Sequence, residues 1–215
     1  MPEQGADRFG MTLRARMGTT LDRLEREARR MLQLEEELSA FANQYYDVVG
    51  AATERLAQLE AQPLDDPLAM PAVHAQRDTR DARRVELKTR YRSLAKEIHP
   101  DRAMVVDGAG AQANHMHTLN AAYQQGDLAA LLKLEAQLLL GQMAADVTTP
   151  QSEMDYALRE VERAADTYAG GYRMMLNSPI NELMLRALSA KQAGWDWMHA
   201  VLRKLERAIE ERERA

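Results

Sequence analysis

The chain has 215 residues, enough for one large or two small domains, and its 46% hydrophobic and 28% charged content is ordinary for a soluble protein. Aromatic residues make up only 5% and cysteine is absent, which excludes disulfides, thiolate metal sites and a cysteine nucleophile and favours long helices over a strand-built core. The net charge of −5 argues against nucleic acid as the main partner.

In chain order, residues 1–9 are polar and acidic, without the basic start and apolar stretch of an export signal, and are expected to be disordered. From 10 to 62 apolar residues recur in steps of three and four: Met17, Leu21, Leu24, Ala28, Met31, Leu34, Leu38, Phe41, Tyr45, Val48, Ala52, Leu56 and Leu59. This seam predicts a coiled coil or one arm of a long helical hairpin. Gln62 to Pro71, QPLDDPLAMP, concentrates prolines, so 63–82 reads as a linker or crossover.

Helix is predicted again from about Arg83 to Ile98, then a glycine-containing loop, then helix from about Asn114, within a region set at 83–141. Gly126-Asp127 reads as a kink or helix cap before LAALLKLEAQLLL. That apolar run is interrupted by Lys133 and Glu135 and is shorter than the roughly 20 residues a bilayer span needs, so membrane insertion is not expected and the chain is placed in the cytoplasm. Residues 142–215 form a C-terminal helical arm, with Thr149-Pro150 and Ser178-Pro179 as cap-plus-proline signals. Its seam runs through Leu158, Val161, Ala165, Tyr168, Tyr172 and Met175, then through Met184, Leu188, Lys191, Trp195, Met198, Leu202, Leu205 and Ile209. Trp195 is therefore expected in the core and Trp197 outside it, and Met11, Met17, Met31, Met174, Met175, Met184 and Met198 as seam fillers. No period-two alternation competes, so the predicted fold class is all-α, with long coiled-coil-like helices flanking a small hairpin.

Charge is uneven along the chain. Between Arg77 and Arg102 nine Lys/Arg stand against five Asp/Glu, a local excess of +4 in a chain that is otherwise −9. Leu87, Tyr91, Leu94, Ala95 and Ile98 fall on one side of the predicted helix, and Lys88, Arg92 and Lys96 lie four apart along an exposed ridge. Like charges at that spacing repel by a few tenths of a kcal/mol per pair, so stability alone does not account for the ridge. Pro100 disfavours helix at His99 and ends it, leaving His99 and Asp101 on a stiff turn.

Tyr91-Arg92-Ser93-Leu94-Ala95 to His99-Pro100-Asp101, followed by Met116-His117-Thr118-Leu119-Asn120-Ala121-Ala122-Tyr123, resembles the second and third helices of the J domain of DnaJ-type co-chaperones. The family patterns are a basic YRxLAxxxHPD helix and FxxINxAY, and both occur here in order, over roughly residues 83–125. Met116 stands where the family has Phe. A first helix of the DYYxxLG kind is not found just upstream; Tyr46 lies 53 residues before His99, and its stretch is assigned to the seam. The glycine/phenylalanine linker and zinc repeats of the fullest members are also absent, so the resemblance is to the specialised class with a separate targeting region.

The resemblance implies a chain that docks on a DnaK-type ATPase chaperone and stimulates its ATP hydrolysis, with no catalysis, cofactor or metal of its own. It casts His99, Pro100 and Asp101 as the trigger, and Lys88, Arg90, Arg92, Lys96 and Arg102 as the docking surface. Leu87, Tyr91, Leu94, Ile98, Met116, Leu119 and Tyr123 would form the hairpin core. The arms would target an unidentified client or bring two copies of the chain together. The competing class is a non-catalytic scaffold whose hairpin is passive. A metal site from His99, Asp101, His115 and His117 is disfavoured, because His115 and His117 are two apart on a helix and do not share a face. Gly108-Ala109-Gly110 follows no predicted strand and is flexible loop, not a phosphate cradle.

Overall fold

The computed structural model describes residues 3–60, 70–98, 109–146 and 148–214, with side chains over 12–60, 81–98, 113–146 and 148–214. The fold is all-α, and no strand occurs among the described residues. In chain order the helices are α1 (Glu3–Tyr45), a π-helical turn (Tyr46–Gly50), α2 (Ala51–Glu60), α3 (Met70–Ile98) and α4 (Ala109–Gln125). They are followed by α5 (Leu128–Ala145), α6 (Gln151–Leu176), α7 (Pro179–Gln192) and α8 (Trp197–Arg214).

Helix ends follow local chemistry. Gly126 takes φ +69° after α4, and the Asp127 side chain then accepts from the Ala130 N–H to start α5. Ser178 accepts from the Asn181 N–H, with Pro179 as the first residue of α7. Two stretches differ from expectation. Residues 1–9, read as disordered, are helical from Glu3. The 63–82 stretch, read as a linker, is helical from Met70, since Pro71 falls in the first turn, where its missing N–H has no intrahelical partner to lose; residues 63–69 lie outside the described residues.

The chain divides into two compact units, Met1–Leu32 with Ala82–Tyr172 and Gln33–Asp81 with Arg173–Ala215. The division before Ala82 falls within one residue of the 82/83 boundary read from composition, whereas the boundaries read at 62/63 and 141/142 lie inside the units. In the first unit, Leu21, Leu24 and Ala28 of α1 pack with Leu128, Ala129, Leu132, Ala136 and Leu140 of α5 and Met154, Ala157, Leu158, Val161 and Ala165 of α6. Leu131 and Leu134, on another side of α5, join a second cluster with α3 and α4. Serving two cores is why α5 is apolar nearly all round. By length and composition it could cross a membrane, contrary to the expectation from Leu128 to Leu140, yet Leu128, Leu131, Leu132, Leu134 and Leu140 are buried within the unit. Each fully buried Leu contributes roughly 1.5–3 kcal/mol.

Ion pairs edge this core. Lys133 Nζ reaches Asp22 Oδ1 at 2.7 Å and Glu25 Oε2 at 2.8 Å, and Arg29 joins Glu25 and the cap carboxylate of Asp127, each at 2.7 Å. Gly171 marks a close approach of α6 to α1: a Cβ there would sit 2.7 Å from Met31 Sδ. Beside it the Arg30 guanidinium lies over the Tyr172 ring, 4.6 Å from its centroid.

In the second unit, Phe41, Ala42, Tyr45, Val49 and Met198 form a core, with Ile180, Leu183, Met184, Trp197 and Val201 packed against it. The π-helical turn shifts the seam by one residue, so Val49 is fully buried where periodicity had placed Val48. Gly50 is required by this turn, because a Cβ would lie 2.6 Å from the Tyr46 ring, whose hydroxyl donates to Glu54 at 3.0 Å. Ion pairs Arg55–Glu213 and Glu60–Arg212 join α2 to α8.

The tryptophans exchange their expected places. α7 stops at Gln192, Gly194 turns the chain at φ +82°, and Asp196 accepts from the His199 N–H to start α8. The break resets the heptad phase, leaving Trp195 50% exposed and setting Trp197 against the core with its ring 6.1 Å from that of Tyr45. Leu188 and Met174, expected in seams, are also exposed, at 48% and 71%.

Candidate functional site

The paired motifs meet in the second cluster of the first unit. Leu94 and Ile98 of α3 and Leu119 and Ala122 of α4 are buried, with Leu87, Tyr91, Ala95 and Met116 partly buried around them. Tyr91 stacks on Tyr123 with ring centroids 4.2 Å apart, and its hydroxyl donates to Asn120 Oδ1 at 3.0 Å. The hydrogen bond thus joins the Tyr of the first motif to the Asn of the second. Leu131 and Leu134 of α5 complete this core from outside both motifs.

On the outer side of α3, Lys88, Arg92 and Lys96 are exposed, and among the described residues none of them makes an ion pair. They run about 6 Å apart along the axis, a cationic strip along one side of the helix. Arg90, grouped with them by charge, stands apart. Its Nε donates to Glu86 Oε1 at 2.9 Å and its Nη1 pairs with Glu135 of α5. Burial works against its charge, but hydrogen bonds and Coulomb attraction from Glu86 and Glu135 outweigh that and hold its pKa above the ordinary arginine value. Burial also pushes the Tyr168 phenol up, with Glu86 adding to the effect.

His99, Pro100, Asp101, Arg102 and Gly108 lie outside the described residues, as does the side chain of Ala109. His115 is half-buried and His117 exposed. Glu135 and Gln142 are the residues the sequence reading passed over. Their one visible signal was Glu135 itself, a charge interrupting an apolar run. The chain matches no family model, no curated protein and no solved structure.

Proposed function

We propose that the chain is a J-domain-like co-chaperone that docks on a DnaK-type chaperone and stimulates its ATP hydrolysis. The observation that carries this reading is the ordered pair of motifs, YRSLAKEIHPD and LNAAY, and it is supported by the contact between them through Tyr91, Asn120 and Tyr123. The strip of Lys88, Arg92 and Lys96 suits an acidic surface of a transient partner, since exposed rim charges mainly raise the association rate and make it salt-sensitive. Asp101, expected from the sequence beside a helix end at Pro100, would accept charge-assisted hydrogen bonds from a partner arginine. The chain itself would do no chemistry; it would bias the partner towards hydrolysis and substrate capture.

The test is steady-state ATP hydrolysis by a purified DnaK-type chaperone with added full-length chain. Turnover should rise with the chain and not with the Asp101→Asn variant, whose helical circular dichroism should match the wild type. Equal stimulation by Asp101→Asn would overturn the mechanism. No stimulation by the wild-type chain would leave the hairpin a passive part of a scaffold.

A further inference from the structure

Helix α5 backs the docking ridge through contacts that neither motif contains. Arg90 pairs with Glu135, and Gln142 Nε2 donates to Glu97 Oε1 at 2.8 Å. Both links span 45 residues, so α3 and α5 run side by side in the same direction, joined at two points one heptad apart. That is about 10 Å along the axis, and the second point falls two residues before His99.

We infer that Glu135 and Gln142 are positioning residues for the docking surface, acting through Arg90 and Glu97, and that Arg90 itself does not meet the partner. The inference rests on the co-chaperone reading. Residues two positions apart on an α-helix differ by about 200° around its axis, so Arg90 cannot share the ridge of Lys88, Arg92 and Lys96. Its guanidinium is also committed to two carboxylates in a partly buried setting, and turning it outward would leave Glu86 and Glu135 unpaired. What the links supply is alignment: α5 fixes the rotation of α3 about its axis and holds its last turn, from which the His99–Asp101 segment departs. The buried leucines Leu131 and Leu134 give this support its rigidity.

A charge swap separates positioning from contact. In the ATP-hydrolysis titration with full-length chain, Glu135→Arg and Arg90→Glu should each raise the half-maximal concentration about fivefold, as expected for loss of a partly buried pair. The double variant Arg90→Glu/Glu135→Arg should return to within about twofold of the wild type, although α3 then carries less positive charge. Gln142→Glu, which sets a like charge against Glu97, should impair about twofold, and Gln142→Lys should not. If Glu135→Arg is silent, or the double variant stays as weak as Arg90→Glu, the inference is overturned and Arg90 belongs to the contact surface. Hydrogen exchange of the α3 amides, without any chaperone, gives a second readout. Exchange over 90–98 should quicken in Glu135→Arg and recover in the swap, and unchanged exchange overturns the positioning role. If the wild-type chain fails to stimulate hydrolysis, the co-chaperone reading falls, and exchange alone decides whether the links align α3.

Discussion

Asn181 is 4% exposed, and its side-chain amide donates to the Leu176 carbonyl at 2.8 Å, closing the end of α6 just before α7 begins. Asn181→Ala strands that carbonyl and should cost about 1–2 kcal/mol, read as a lowered midpoint in urea unfolding. Removing the cap at Ser178 should cost about 1 kcal/mol by the same assay. These sites show what is readable residue by residue. Ser178, Pro179, Gly126 and Asp127 are visible in the sequence because each acts on its immediate neighbours. The pairing of Arg90 with Glu135 and of Lys133 with Glu25 is not, since ion pairs 45 and 108 residues apart leave no local trace. The same holds for Val49 over Val48: the π-helical turn is set by the fit of Tyr46 over Gly50, which periodicity does not encode.

Between elements, the α1–α5 clasp sets a pH dependence. A hydrogen bond from Lys133 and its positive charge hold the Asp22 carboxyl below the ordinary value of 3.8, and hydrogen bonds to Asp22 and Glu25 hold the Lys133 ammonium above 10.5. A lowered acid adds stability that is present above its unfolded pKa and lost as pH falls through the folded one; a raised base adds stability present below its unfolded pKa and lost as pH rises through the folded one. Lys133→Met should therefore lower the thermal midpoint at pH 7, and the difference from wild type should shrink below pH 3.8 and above pH 10.5. Equal differences at pH 7 and pH 3 would count against the clasp. The elements themselves were largely legible, because α1 and α6 each bury one stripe and keep a 3.6-residue period. The start of α5 was marked by Gly126-Asp127, but its two buried sides were not legible, since a helix buried on two sides loses its period, and α3 was cut short because a proline in a first turn reads like one in a linker.

For the whole molecule, the decisive point is where the long seams spend their apolar surface. Leu21, Leu24 and Ala28 are covered by α5 and α6, while Phe41, Tyr45 and Val49 are covered by α7 and α8, all within the chain. Pairing of two copies through these seams would first have to open a folded unit. The thermal midpoint should accordingly stay constant over a hundredfold range of protein concentration; a midpoint that climbs with concentration would show that copies contribute to folding. The turn at Gly194 has a further consequence. The chain's two tryptophans both fall in the second unit, one facing water and one against Tyr45, and the first unit has none. Indole emission is thus a private signal of the second unit, whereas circular dichroism sums over every helix. A gap between the two melting curves of one sample would measure, without any label, how independently the halves of this protein come apart.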